Sequence, residues 1–240
     1  MKHFKIRFRT DEPDFSTVPE PPDFSEWRDT AYGHHDEDLP VDAPPPLGKR
    51  VILSHYYDAS LMHDVLNGKA VTGVLHFYNK TPIDWYCKKQ ATAETATYGA
   101  EFIACRTCLE QVINHRNYLR YLGVEVFKYS YVWGDNESQV LSSIIPHSRL
   151  HKRHNILSYH FVRSILSQRF TSLNHIKSEW NASDPLTKHW GYKQVYDNIL
   201  RPLFHHTGDT GTLFDHDTIV VERSISVDEL SKIFTPNGEY

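Results

Sequence analysis

The sequence has few cysteines and no long apolar run, and each absence excludes a class of protein. Its 240 residues contain three cysteines, which are too few for the disulfide framework of a small secreted domain. No apolar run approaches the ~18 residues of a membrane span, and the first residues lack the apolar core of a secretory signal. We therefore expect a soluble, intracellular protein with no membrane partner.

An excess of positive charge is also absent. Lysine and arginine together number 26 against 30 aspartates and glutamates, which gives a formal net charge of -4. A chain with this balance has no global attraction for a polyanion, so any such binding depends on local clusters. The 40% hydrophobic content is nevertheless enough for one good core.

Signals for helices and strands are scarce in the first 48 residues, where prolines and acidic residues alternate. Prolines at this density block helices and sheet ladders. We expect residues 1–48 to be a largely irregular connector that adds little to the core, with Phe24 and Trp27 as anchoring aromatics. The main domain is then expected at residues 49–202, followed by a C-terminal extension at residues 203–240.

Three apolar segments after the connector predict strands joined by short turns. The segments Val51–Asp58, Ala70–Tyr78 and Ile83–Cys87 are rich in β-branched and aromatic residues. Turn residues at Gly68 and at Asn79–Pro82 separate them. This spacing predicts an antiparallel meander whose first strand ends on the carboxylate of Asp58.

Helical and strand patterns alternate through the rest of the chain. Apolar residues recur every three or four positions from Thr97 to Leu122, which predicts a helix that ends at Gly123. The later patterns predict, in order, the strand Phe127–Trp133, the helices Glu137–Ile145 and Leu150–Gln168, the strand Thr171–Ile176, and a helix from Asp184 to Leu200.

Four acidic residues fall where these elements begin or end, or at the margin of an apolar stripe. Asp58 and Asp135 follow strands, Glu101 lies beside the stripe of the long helix, and Asp184 stands at the mouth of the last helix. Ordinary structural roles would also explain three of these acids. Asp135 and Asp184 could cap helices, and a glutamate on a helix, such as Glu101, is usually exposed. A common site for the four carboxylates would instead hold a divalent metal ion.

Several short motifs follow one another along the predicted elements. They are Asp58-Ala59, Thr72-Gly73, Trp85-Tyr-Cys-Lys-Lys-Gln90, Ala100-Glu101-Phe102, Gly134-Asp135-Asn136, Tyr159-His-Phe-Val-Arg163 and Ser183-Asp-Pro-Leu-Thr-Lys188. In these motifs and in the order of its elements, the chain resembles the ribonuclease H domain at the end of Ty1/copia-type retrotransposon polyproteins, over roughly residues 45–200. The resemblance implies an α/β, RNase H-like fold, in which a five-stranded mixed sheet of three antiparallel and then two parallel strands is flanked by helices.

The family's activity is hydrolysis of the RNA strand of RNA–DNA hybrids, by a metal-dependent endonuclease mechanism. By motif match, Asp58, Glu101, Asp135 and Asp184 would be both the catalytic residues and the ligands of two Mg²⁺ or Mn²⁺ ions. Two such ions about 4 Å apart stabilise the attacking hydroxide and the leaving 3′ oxygen. The resemblance also implies reverse transcriptase and other polyprotein domains as partners, in a cytoplasmic virus-like particle or in the nucleus.

Hybrid binding requires positive or polar side chains along the path of the phosphates. The candidates are Lys88, Lys89, Asn136, Arg149, Lys152, Arg153 and Arg163. A solvated helix face explains the basic cluster near Arg149 equally well. His175 is a candidate for the loop histidine that helps product release in ribonucleases H, although its sequence context predicts a strand.

Two departures from the family pattern leave an alternative open. Ser60 replaces the second acid of the first motif, and Pro185 replaces an aliphatic residue. The alternative is a catalytically inactive retroelement remnant or a domesticated nucleic-acid-binding module, which the net charge and the lack of companion polyprotein domains in this sequence favour. An integrase-like nuclease fits less well because that class has a different acid spacing. A metal or redox role for Cys105 and Cys108 is disfavoured by their mid-helix position.

Overall fold

The chain folds into one large mixed sheet with helices on its faces. The computed structural model describes residues 4–6, 8–35, 37, 39–64, 66–148, 150, 155–188 and 204–206. The elements are, in chain order, β1 (Phe4–Ile6), α1 (Ser25–Trp27), β2 (Leu47–Asp64), β3 (Lys69–Tyr78), β4 (Thr81–Ala93), α2 (Thr97–Tyr121), β5 (Val124–Gly134), α3 (Glu137–Ile144), α4 (Ile156–Ser167), β6 (Thr171–His175), α5 (Asp184–Thr187) and β7 (Phe204–His206).

The main sheet has the strand order β4-β3-β2-β5-β6. Strands β2, β3 and β4 pair antiparallel, whereas β2 with β5 and β5 with β6 pair parallel. The predicted α/β architecture, with three antiparallel and then two parallel strands, is therefore confirmed, and it is the RNase H-like arrangement that the resemblance implied. Apart from this sheet, β1 pairs antiparallel with β7.

Both faces of the sheet are buried, because its central strands carry apolar residues on both sides. On one face, Tyr57 and Ala59 of β2 pack with residues of α2 and α4. On the other face, Ile52 and Tyr56 pack with Trp133 and other residues of β3 and β5. The continuous apolar run that predicted β2 is thus the signature of a strand buried on both sides.

The segment before β2 is largely irregular, yet it packs on both faces of the sheet. Phe24 is 2% exposed and stacks on Trp27, with ring centroids 4.4 Å apart. On the opposite face, the ring of Phe15 lies 4.5 Å from that of Tyr131. The expectation that this segment adds little to the core is therefore wrong, because Phe24 is buried in the core and Trp27 and Phe15 pack against it despite the surrounding prolines and acids.

Several element boundaries differ from the sequence patterns. Strand β2 is longer than predicted, and α4 begins at Ile156 instead of Leu150. Within α4, Leu157 is exposed and Val162 is buried. The predicted continuation of the last helix to Leu200 and the C-terminal extension beyond residue 206 lie outside the described residues. No helix in the described part of the chain is long and apolar enough to cross a membrane.

Candidate active site

Three aspartates meet where the parallel pairing of β2 with β5 ends, although β2 itself does not end on Asp58 as predicted but continues to Asp64. In the register of β2 with β5, Tyr57 lies opposite Gly134, so Asp58 and Asp135 each follow directly after this last pair. Asp184 opens α5, which packs against β2 and β3. One carboxylate oxygen from each of Asp58, Asp135 and Asp184 lies within 4.8 Å of the other two.

Glu101 lies beside this trio, although it is not part of that group. It stands on the first turns of α2 and is 2% exposed. Its Oε1 accepts a hydrogen bond from the backbone N–H of Ala59 at 3.3 Å. Its Oε2 is buried and has no hydrogen-bond partner among the described residues. This orphaned oxygen and the three aspartates fit a divalent cation, since Mg²⁺ and Mn²⁺ prefer oxygen ligands.

Burial and mutual repulsion disfavour charge on the acids. Burial raises the pKa of Asp58 to about 7, with the Asp135 charge adding to the rise and Lys188 opposing it. The pKa of Glu101 is held well above its usual range by burial and by the charges of Asp58 and Asp135. Burial also raises the pKa of Asp184. The site therefore favours any cation that enters it.

The last residue of α5 and the residue that follows it supply hydrogen bonds and a positive charge to the aspartates. Thr187 Oγ1 donates a hydrogen bond to Asp58 Oδ2. Lys188 Nζ donates to Asp184 Oδ1 at 2.5 Å and lies 3.8 Å from Asp58 Oδ1. Sequence reasoning gave neither residue a role, although both belong to the motif that begins at Ser183, and the spacing of Asp184 and Lys188 is one helical turn.

The Asn181 side chain links the start of α5 to Tyr57 of β2 by hydrogen bonds. Its side chain is fully buried, and its Nδ2 donates to the carbonyl oxygen of Tyr57 at 2.9 Å. Its Oδ1 accepts from the backbone N–H of Ser183 at 3.1 Å and from the Ser183 hydroxyl at 2.7 Å. Asn181 thus holds together the two segments that carry Asp58 and Asp184.

A glycine lets α5 approach the sheet closely. Gly73 on β3 lies opposite Asp58, and a Cβ atom added there would lie 2.6 Å from Thr187 Cγ2 and 3.0 Å from Leu186 Cβ. On the neighbouring strand, the Cys87 thiol donates to the carbonyl oxygen of Leu186 at 2.9 Å. These contacts set the distance between α5 and the sheet, on which the position of Asp184 depends.

The predicted nucleic-acid contacts on β4 and after β5 are partly engaged within the chain. Lys88 is exposed. Lys89 Nζ pairs with Asp64 Oδ2 at 2.6 Å. The Asn136 side chain caps α3, because its Oδ1 accepts from the Gln139 backbone N–H at 3.0 Å.

The prediction of a phosphate contact at Arg163 is corrected by the structure. Arg163 is 7% exposed, and its guanidinium donates to the carbonyl oxygens of Ser143, Ile145 and Pro146. The guanidinium also lies 4.0 Å from the centroid of the Trp27 ring. With its donors directed at backbone carbonyls and its face covered by an indole, this side chain joins α3, α4 and the N-terminal segment.

The remaining candidates divide into two groups. Arg149, Lys152 and Arg153 lie outside the described residues. His175 ends β6, with its Nε2 3.3 Å from the carbonyl oxygen of Asp135. It therefore stands beside the candidate site, in a strand as its sequence context predicted.

Cys105 and Cys108 are buried in α2 as free thiols. Burial raises the pKa of Cys105 to about 12 and that of Cys108 well above its usual range. A neutral, inaccessible thiol is a poor nucleophile and a poor metal ligand.

The sheet topology and the aspartate trio define an α/β protein of the RNase H-like class with a carboxylate-rich candidate site. Its sequence is similar to the Retrovirus-related Pol polyprotein from transposon TNT 1-94 of Nicotiana tabacum, with 29% identity over 143 residues, 59% of this chain and 10% of that protein. The corresponding polyprotein from transposon RE2 of Arabidopsis thaliana is 24% identical over 143 residues, again 59% of this chain and 10% of that protein. The resemblance to copia-type retrotransposon polyproteins is thus confirmed.

The chain spans 10% of the length of these curated relatives. No protein-family model matches it. Among solved structures, it is similar to LC11-RNase H1 in complex with RNA/DNA hybrid, with a TM-score of 0.45, 20% identity, and coverage of 56% of this chain and 92% of that one. It is also similar to the N-terminal RNase H domain of a Mycobacterium tuberculosis protein, with a TM-score of 0.43, 17% identity, and coverage of 57% and 91%. At such values the assignment of the fold rests on the strand order and register described above.

Proposed function

We propose that the chain is a metal-dependent endonuclease that hydrolyses the RNA strand of RNA–DNA hybrids. The observation that carries the proposal is the meeting of Asp58, Asp135 and Asp184 beside the buried Glu101. The similarity to transposon Pol polyproteins supports it, because the motifs of this chain resemble the ribonuclease H domain at the end of such polyproteins. In that setting the partners would be the reverse transcriptase and the other polyprotein domains, within the cell.

Asp58, Glu101, Asp135 and Asp184 would together hold two Mg²⁺ or Mn²⁺ ions. When bound, such a pair of ions activates the attacking water and stabilises charge on the leaving 3′ oxygen. The chain's own residues contribute by orienting the carboxylates. Thr187 orients one oxygen of Asp58, and the backbone N–H of Ala59 orients one oxygen of Glu101. His175, whose Nε2 lies 3.3 Å from the carbonyl oxygen of Asp135, would help product release.

Substrate binding would depend on phosphate contacts and on the shape of the hybrid, with little base specificity. Lys88 and Asn136 are proposed as contacts on either side of the site. Lys89 would exchange its pairing with Asp64 for a phosphate. Arg149, Lys152 and Arg153 remain proposed contacts from the segment between α3 and α4.

The test is cleavage of a hybrid labelled on its RNA strand, in Mg²⁺ and in Mn²⁺, with RNA and DNA duplexes of the same sequence as specificity controls. The parent protein should cut the hybrid and neither of the two control duplexes. Asp135→Asn should reduce the rate by at least ~100-fold because a metal ligand is lost. Asp42→Asn removes the same charge from the exposed connector and should leave the rate unchanged. A folded parent that binds hybrid in EDTA but cleaves it in neither metal would instead be a binding module or an inactive remnant.

A further inference from the structure

The positively charged side chain of Lys188 contacts the proposed metal site. The Lys188 ammonium lies 2.5 Å from Asp184 Oδ1 and 3.8 Å from Asp58 Oδ1. Among the described residues it is the cation whose charge acts on Asp58, Asp184 and Glu101 alike. The ammonium therefore contacts carboxylate oxygens of two aspartates that a metal ion in the site would also need as ligands.

The backbone around Lys188 holds its side chain at this place. Its N–H donates to the carbonyl oxygen of Asp184 at 3.0 Å, which closes the single turn of α5. Thr187, one residue earlier, is anchored to Asp58. The turn itself rests on Gly73. Yet the Lys188 side chain is 37% exposed, so its flexible four-carbon stem can carry the ammonium out to water without moving the turn.

We propose that Lys188 is a built-in counter-cation, which neutralises the aspartates in the metal-free protein and withdraws when divalent ions bind. This inference rests on the proposed function, since it assigns a role to a residue of the same site. Buried carboxylates this close together repel one another strongly where water is excluded. The ammonium removes that repulsion and keeps the site assembled, and it competes with the metal for the same oxygens.

The competition predicts that removing the Lys188 charge lowers the stability of the metal-free protein and raises its affinity for divalent ions. Without Lys188, the metal-free protein loses the attraction that offsets its carboxylate repulsion and becomes less stable. The same change removes the competitor, so divalent ions bind more tightly. A lysine that only contacts substrate phosphate would have neither effect on the free protein. A lysine that only supports α5 would, on removal, weaken metal binding instead of strengthening it.

The experiment compares Lys188→Met with Lys128→Met, a matched change at an exposed lysine near the start of β5, at the opposite end of that strand from Asp135. Thermal unfolding in EDTA and Mn²⁺ binding by titration calorimetry are measured at neutral pH for the parent and both variants. We expect Lys188→Met to lower the midpoint of unfolding in EDTA by ~3 °C or more and to tighten Mn²⁺ binding about tenfold. Lys128→Met should leave the Mn²⁺ affinity unchanged.

Two results would overturn the inference, and they are distinguishable. If the parent binds Mn²⁺ and Lys188→Met binds it no more tightly, Lys188 is not a competitor and the inference alone fails. If the parent binds no Mn²⁺ at all, the proposed function fails and the inference fails with it. Activity of the loaded enzyme enters neither readout.

Discussion

At the scale of single residues, the candidate site is a concentration of buried negative charge. Divalent ions that bind such a site and not the unfolded chain stabilise the fold, by about 2.7 kcal/mol at a hundredfold excess over the Kd. We therefore expect Mg²⁺ or Mn²⁺ to raise the midpoint of thermal unfolding by several degrees. Asp135→Asn should abolish this rise, whereas Asp42→Asn should keep it. An equal rise in both variants would place the bound ions elsewhere.

Asn181 is predicted to matter for stability and for metal affinity together. Asn181→Ala removes the partner of the Tyr57 carbonyl and of the Ser183 hydroxyl in a fully buried place. Leaving such groups unpaired costs about 1–3 kcal/mol, and the released α5 would hold Asp184 less firmly against Asp58.

Chemical denaturation and Mn²⁺ titration of Asn181→Ala check this prediction. Asn67→Ala serves as the control, because the Asn67 side chain bonds Asp64 at an exposed turn and should change the free energy of unfolding by less than ~0.5 kcal/mol. Loss of stability with full Mn²⁺ affinity would mean that Asn181 supports the fold without positioning Asp184.

The sequence predicted single residues well where a motif carried them and poorly where the partner was distant. Asp58, Asp135 and Asp184 were predicted to converge, together with Glu101, because each of the four stands in a motif of the resemblance. Arg163 was misjudged, because nothing local reveals that Trp27 and the carbonyl of Ile145 enclose it. Lys188 was passed over because its contact with Asp58 spans more than half the chain.

At the scale of elements, a histidine cluster fills the space between β2, β3 and α2. His55 Nδ1 lies 2.6 Å from His76 Nδ1, and His76 Nε2 lies 2.8 Å from Gln111 Oε1. His115 on α2 lies 2.7 Å from the Tyr78 hydroxyl through its Nδ1. Three imidazoles packed this closely cannot all be charged, so the folded state keeps them neutral.

This cluster predicts that stability falls in mild acid. Burial and the charge of His115 lower the pKa of His76 to about 4, and burial holds the pKa of His55 well below its usual range. Between pH ~6.5 and ~4 the unfolded chain therefore binds more protons than the folded one, and stability decreases as the pH falls through this window. The charges that face the cluster are Asp84, which raises the pKa of His76 and His115, and Arg116, which lowers that of His55.

The measurement is the free energy of unfolding at several pH values, for the parent and for His76→Gln. The variant should show a shallower loss of stability below pH ~6.5, because one titrating group is gone. His34→Gln is the control, since His34 is exposed and paired only with Asp29 on the surface. Carboxylates of the candidate site titrate equally in all three proteins and cancel in the comparison. Parallel curves for parent and His76→Gln would contradict the account.

The type and order of elements were accessible from the sequence, whereas some boundaries were not. Apolar runs and helical periodicity were strong enough to predict the mixed sheet and the long α2. The start of α4 was placed too early because Leu150 fits a helical period, although Leu150 itself packs on the core without being part of a helix. Local periodicity cannot distinguish a helical apolar residue from one held by tertiary packing.

At the scale of the whole molecule, the described residues between 8 and 46 pack along the main domain, and we call this segment the strap. Glu37 bonds Arg116 and Arg120 on α2, with its Oε2 2.8 Å and 2.7 Å from their guanidinium nitrogens. At the other end, the backbone N–H of Arg9 donates to Thr81 Oγ1 at 2.7 Å. Proline and acid content gives no information about such long-range partners.

The strap's contribution to stability can be measured by one pair of substitutions. Phe24→Ala removes a buried ring from the core and should cost about 3–5 kcal/mol of unfolding free energy. Phe8→Ala makes the same change at a ring that is 78% exposed and should cost under ~0.5 kcal/mol. Denaturant unfolding of both variants is the measurement. Equal, small effects would mean that the strap is held loosely in solution.

The central claim, that the aspartate trio hydrolyses the RNA strand of a hybrid, is tested most directly by the chemistry of the products. Water attack with a leaving 3′ oxygen produces RNA fragments that carry 5′-phosphate and 3′-hydroxyl ends. We expect these ends from the parent protein in Mg²⁺ or Mn²⁺, no products in EDTA, and none from Asp135→Asn. Fragments with 2′,3′-cyclic phosphate ends, or cleavage that persists in EDTA, would contradict the claim.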